Sequence, residues 1–207
     1  MKMALFYRIL FFIIGLSILA FGVSMTIKAG LGTGAWDALN VGLSKSVGLT
    51  PGSWVVIVGI IMIFVNAALT KKRPEIAAVI TLLITGVLID FWLLRVFDDL
   101  VVLGIIQKLA VFLIGVIALS IGIAIYLQPR FPLIPIDNFM VALRERFGLN
   151  LMVAKTLGEV FALSAAFIFK GPIGIGTLIV TFAIGPLIQL FFPFFEKMLN
   201  KLLASAR

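Results

Sequence analysis

Four charged side chains lie in strongly apolar parts of this sequence. Asp37 and Asp137 each follow a stretch that breaks helices, and Lys155 and Glu159 share one long apolar run. A charge at the centre of a membrane costs roughly 2.5–3.5 kcal/mol on insertion scales, and such charges are typical of ion and substrate pathways. We therefore expect the aspartates to bind substrate, and Glu159 with Lys155 to act in ion coupling or relay. Alternatively, Lys155 and Glu159 neutralise each other one helical turn apart, with the lysine reaching the membrane surface.

The composition is that of a membrane protein, so the first expected partner is the lipid bilayer. Of 207 residues, 62% are hydrophobic and 13% are charged, and the mean hydropathy is +1.24. Histidine and cysteine are absent, which removes the usual metal ligands and the usual imidazole and thiol catalysts. We expect no enzyme activity, no cofactor and no metal site. The net charge of +8 is spread over short basic clusters between apolar runs, so we expect no nucleic-acid partner.

Six apolar runs approach the length of about 20 residues that a helix needs to cross a membrane. This pattern predicts an all-α, polytopic membrane protein with six transmembrane helices. The predicted spans are residues 6–27, 54–69, 76–97, 109–127, 151–169 and 175–195.

The sequence contains an internal repeat that forms a single membrane domain. Residues 1–100 match residues 101–207 when the chain is shifted by about 100 positions. Each copy would hold three spans and one short helix, so the second copy would be inverted in the membrane. The basic cluster at residues 71–73 then lies on the cytoplasmic side with both termini, as the positive-inside rule requires. Matching pairs include Gly15 with Gly115, Gly22 with Gly122, and Asp37 with Asp137.

Both copies contain a short amphipathic helix, predicted at residues 34–48 and 134–148. A helix-breaking stretch precedes each one. A break and a short helix between two spans are typical of a re-entrant segment, which in inverted-repeat transporters helps to form the substrate site. The alternative is a helix that lies flat at the membrane interface. The breaking residues are Gly30, Gly32 and Gly34 in the first copy, and Pro129, Pro132 and Pro135 in the second.

The two breaks and the starts of the short helices are the predicted substrate site. Glycine lets the backbone approach a ligand closely, and aspartates at both helix starts favour a cationic or zwitterionic solute over an anion. The predicted substrate-binding residues are Gly30, Gly32, Thr33, Gly34, Trp36, Asp37, Asn40, Asp137 and Asn138.

The stretch GLGTGAWDAL, which begins at Gly30 after the first apolar span, resembles the glycine-rich motif of the YczE/YyaS/YitT family of bacterial integral membrane proteins. The resemblance covers nearly the whole chain and is most specific at residues 30–37. Ala35 stands where the family pattern has proline, although the second copy has Pro135 there. The resemblance implies a location in the bacterial cytoplasmic (inner) membrane and supplies no substrate.

Two functions are compatible with these patterns. The first is a secondary transporter that moves a small cationic or zwitterionic solute by alternating access around a site between the repeats. The second is a non-transporting accessory or regulatory protein that binds a partner complex through small-residue stripes. A homodimer is also allowed. The stripes would be formed by Gly15 and Gly22, and by Gly115 and Gly122.

Overall fold

The computed structural model describes residues 2–205 and is built from α-helices, with no β-strand in that range. The all-α prediction is therefore confirmed. Met1 and the last two residues of the predicted second repeat, 101–207, lie outside the described range. The helices are α1 (Lys2–Ala29), α2 (Ala35–Val47), α3 (Pro51–Thr70), α4 (Ala78–Phe91), α5 (Ile105–Tyr126), α6 (Pro135–Phe147), α7 (Leu151–Ile168) and α8 (Ile175–Ser205).

Five helices in the described range are long and apolar enough to cross a membrane: α1, α3, α4, α5 and α8. A short π-helical turn, Trp92–Val96, continues α4. The remaining predicted span, residues 151–169, corresponds to α7, which has 18 residues and contains both Lys155 and Glu159. Helix α7 is not one of these five. The number of long apolar helices is thus one fewer than the six spans predicted.

Helices α1 and α5 form the centre of the molecule and pack closely through glycines. A methyl group added at Gly22 would collide with the backbone of Leu119, and one at Gly15 would collide with the backbone of Tyr126. The later glycine of α1 contacts the earlier residue of α5, so the two helices run antiparallel. The matching glycines of α5 meet α1 in the same way. These glycines therefore join the two halves of the chain to each other.

The two short helices, α2 and α6, begin and end within one residue of the predicted bounds. Each packs against the opposite half of the chain: α2 contacts α7, and α6 contacts α3. The two short helices also meet each other, because Trp36 of α2 lies edge-on to Phe139 of α6, with ring centroids 6.2 Å apart. Their first turns therefore face the same interior space.

The glycine stretch before α2 packs against another loop of the protein. The Leu31 carbonyl accepts a hydrogen bond from Gly176 N at 2.8 Å, and Thr33 N donates to the Pro172 carbonyl at 3.3 Å. A side chain at Gly32 would collide with the backbone of Gly174. Gly32 also has a φ of 100°, a conformation that favours glycine. The loop at 30–34 and the loop at 169–176 are thus joined backbone to backbone.

Candidate functional site

A cavity of about 440 Å³ lies inside the protein and is lined by residues from both halves of the chain. Most of its wall is apolar and comes from the long helices, while the two short helices and α7 supply the charged groups. The polar lining residues are Asp37, Asn40, Thr85, Tyr126, Asp137, Lys155, Glu159 and Thr181.

Asp37 enters the cavity from the first turn of α2. Gly34, at the N-cap of that helix, also lines the cavity, and a methyl group there would lie 3.0 Å from the Asp37 Oδ2 atom. Within the described residues, the Asp37 carboxyl makes neither a salt bridge nor a side-chain hydrogen bond, so its oxygens are free to accept from a ligand. Because an unpaired carboxylate is costly to bury, a cation beside Asp37 would be stabilising.

Asn40 lies one turn further along α2 and is 2% exposed. Its Oδ1 atom is buried and has no hydrogen-bond partner among the described residues. A buried acceptor without a partner costs about 1–3 kcal/mol. The Asn40 carbonyl oxygen is therefore an acceptor that a bound N–H group would satisfy.

Asp137 occupies the matching place on α6 and accepts a hydrogen bond of 2.7 Å from the hydroxyl of Tyr126. Tyr126 is 1% exposed and forms the last residue of α5. Tyr126 was not among the residues predicted from the sequence, although one signal was available: it is one of only two tyrosines and ends an apolar span. Thr26, which stands 100 positions earlier at the end of α1, instead bonds to Thr33 at 2.8 Å, so the two aspartates differ in their surroundings.

Lys155 and Glu159 both reach the cavity from α7. They also line a small adjoining cavity of about 50 Å³ with Trp36 and Asp137. In the part of the chain that the structure describes, Lys155 has no carboxylate within 4.0 Å. The two side chains thus face the cavity without forming the close ion pair that their spacing allows.

Four of the predicted substrate-binding residues do not line the central cavity. Gly30 follows the last residue of α1 and is exposed, and Gly32 and Thr33 are buried in the loop contact described above. Asn138 points away, and its amide donates to the Glu75 carboxylate at 2.9 Å in a separate surface cleft. The cavity does contain Gly34, Trp36, Asp37, Asn40 and Asp137, together with both predicted relay residues.

The charge of the cavity is set by three carboxyl groups, Asp37, Asp137 and Glu159, and by one amine, Lys155. When all four are ionised the cavity is negative, which favours a positively charged or zwitterionic guest. No group of three acidic side chains within residues 2–205 is arranged to hold a metal ion. The site therefore combines three carboxyl groups and one amine with mostly apolar walls.

The sequence is similar to bacterial proteins, one of which is described as a membrane protein. Residues 6–193 match the model of a family of unknown function, DUF6198. The uncharacterized protein YyaS of Bacillus subtilis is 42% identical over 190 residues, which cover 92% of this chain and 94% of YyaS. The uncharacterized membrane protein YczE of the same organism is 33% identical over 97% of this chain and 92% of YczE. No solved structure matches the chain. With its long apolar helices, the chain is a multi-pass integral membrane protein.

Proposed function

We propose that this chain, which belongs to the DUF6198 family and to the group of membrane proteins that includes YyaS and YczE, is a secondary transporter. Its substrate would be a small cationic or zwitterionic solute, bound in the central cavity. One observation carries the proposal: each repeat contributes an aspartate to one interior, mostly apolar cavity, at matching positions of its short helix. An interior charged site shared by two related halves is typical of transporters with internal repeats.

The proposed architecture is an inverted repeat with six crossings. Gly22 of the first repeat contacts Leu119 of the second. The equivalent contact with the two repeats exchanged is that of Gly122 with Leu19, and it also occurs. This exchange, with α1 and α5 antiparallel, supports a two-fold axis in the membrane plane. Helix α7 would supply the remaining crossing, the fifth in chain order, since its 18 residues extend about 27 Å.

In this arrangement α2 and α6 enter the membrane from opposite faces and meet near its middle. Their contact at Trp36 and Phe139 supports a re-entrant position over an interfacial one, because both rings pack inside the protein. The positive-inside rule then puts both termini in the cytoplasm and the protein in the inner membrane.

The proposed mechanism is alternating access to the cavity. A substrate ammonium group would pair with Asp37, and an N–H of the substrate would donate to the Asn40 carbonyl. Asp137 is held by Tyr126, and its remaining acceptor sites face the same space. Glu159 and Lys155 would exchange the coupling ion or proton as the substrate enters and leaves.

The direct test is uptake of labelled amines and amino acids into liposomes that contain the purified protein. We expect Asp37→Asn to lower the uptake rate about tenfold or more, because it removes a charge-assisted contact of about 1.5–3 kcal/mol. Asp99→Asn is the matched control, since Asp99 is exposed in a loop outside the cavity. If a broad panel gives neither uptake nor a ligand-induced thermal shift, the result contradicts transport and favours the accessory-protein alternative.

The inverted topology has its own test, made simple by the absence of cysteine. Single cysteines replacing Lys45 and Arg144, exposed residues in the last turns of α2 and α6, should react with an impermeant maleimide from opposite faces of the membrane. Reaction of both from one face would contradict the inverted repeat.

A further inference from the structure

The start of α3 is tied to the end of α4 by Asp90. The Asp90 carboxylate accepts hydrogen bonds from the Thr50 hydroxyl and, at 2.8 Å, from the backbone N–H of Gly52. The two helices also approach closely where Gly52 meets Gly86. We call this the Asp90 end of the molecule. Here α3 and α4 are closed against each other, far from the loop that joins them.

The matching end of the second repeat is open. Asn150 precedes α7 and caps its N-terminus, as Thr50 caps α3. The counterparts of Gly86 and Asp90 are Gly185 and Gln189 on α8. A methyl group at Gly185 would have no neighbour within 4 Å among the described residues, and Gln189 is exposed. We call this the Asn150 end.

The packing of whole helices differs in the same way. Helices α3 and α4 pack along each other, whereas α7 and α8 do not pack along each other in the described part of the chain. Glu159 of α7 and Thr181 of α8 both line the central cavity. The gap between α7 and α8 thus leads toward the cavity, while the space between α3 and α4 is closed.

We propose that Asp90 is the gate-closing residue at one end of the cavity, and that the structure is the state in which the cavity opens at the Asn150 end. This inference rests on the transport function proposed above. In the other state the halves exchange roles: Asp90 releases Thr50 and Gly52, and Gly185 and Gln189 pack against the start of α7.

The two gates are not chemically equal. Asp90 presents a carboxylate to a hydroxyl and to a helix N-terminus, whereas Gln189 presents a neutral amide. Hydrogen bonds with an ionised partner are roughly twice as strong as neutral ones, and negative charge is stabilising at a helix N-terminus. The resting protein should therefore favour the state with the Asp90 end closed, which is the state that the structure contains.

The test measures how fast an impermeant maleimide reaches a cysteine inside the cavity from each face of the membrane. Val55→Cys places the thiol in the cavity wall, one turn inside Gly52 on α3. Lys45→Cys identifies the face at the Asp90 end. From that face we expect Asp90→Asn to speed labelling of the Val55→Cys protein by about tenfold, because one charged acceptor is lost. Asp99→Asn is the matched control and should leave the rate unchanged.

A second variant makes the test independent of whether Asp90→Asn folds. Gln189→Asp supplies the missing carboxylate at the open gate, so labelling of Thr181→Cys from the Asn150 end should slow several-fold. Unchanged labelling in either folded variant overturns the proposed gate.

Uptake by the same variants separates the two proposals. Uptake by the unmodified protein with unchanged labelling would overturn the gate and keep transport. Shifted labelling without any uptake would support the gate and contradict transport.

Discussion

Replacing Asn40 with leucine should stabilise the protein in the absence of substrate and abolish substrate binding. The Asn40 side chain is buried, and its carbonyl oxygen has no hydrogen-bond partner within residues 2–205. Leucine has a similar branched shape without a polar atom to desolvate. Removing the unpaired acceptor should recover about 1–3 kcal/mol. At about 2–4 °C per kcal/mol for a chain of this size, the Tm should rise by about 2–12 °C.

Asn66→Leu is the matched control for this prediction. Asn66 also has a buried Oδ1 atom without a partner, but its amide nitrogen donates to the Pro135 carbonyl at 2.8 Å. Its replacement removes that hydrogen bond along with the unpaired oxygen, so the Tm should stay level or fall. The Tm of both variants should be measured by thermal unfolding in the same detergent.

The reasoning would be refuted if Asn40→Leu lowered the Tm as much as Asn66→Leu does. That result would mean that the Asn40 amide is satisfied without a ligand and contributes to the fold. A ligand-induced thermal shift that survives in Asn40→Leu would contradict the predicted role in binding, whatever happens to the Tm.

Two further substitutions test the packing and the second aspartate. Tyr126→Phe keeps the ring but removes the donor to Asp137, so the free energy of unfolding should fall by about 1.5–3 kcal/mol, measured as a lower Tm. Gly22→Ala forces α1 away from Leu119 and should cost about 1–3 kcal/mol or prevent assembly, seen as loss of the monodisperse peak in size-exclusion chromatography. Gly185→Ala is its control and should fold normally, because the added methyl group meets open space in this state.

Local patterns in the sequence were sufficient to predict the two short helices. The apolar stripe that contains Trp36 predicted a short helix, and the bounds of α2 and α6 agree closely with the expected 34–48 and 134–148. Helix periodicity and helix breakers are properties of neighbouring residues, so a sequence displays them directly.

The composition of the cavity was predictable only in part, because it depends on distant contacts. Asp37 and Asp137 were found through the repeat, whereas Tyr126 acquires its role only when the end of α5 lies beside α6. Thr33 was expected at the substrate site, but the fold places it against Thr26 and Pro172. Their helical spacing predicted that Lys155 and Glu159 share one face of a helix. It did not predict which residues of other helices that face contacts.

The union of the loop at 30–34 with the loop at 169–176 affects how variants of the glycine motif should be interpreted. Because main-chain atoms of the two loops touch, any side chain added at Gly32 or Gly174 must push them apart. Variants at these positions would therefore lose activity because the protein fails to fold, even if the motif never contacts the transported molecule. Damage mapped to this motif should be separated from damage to recognition by measuring folded yield before measuring flux.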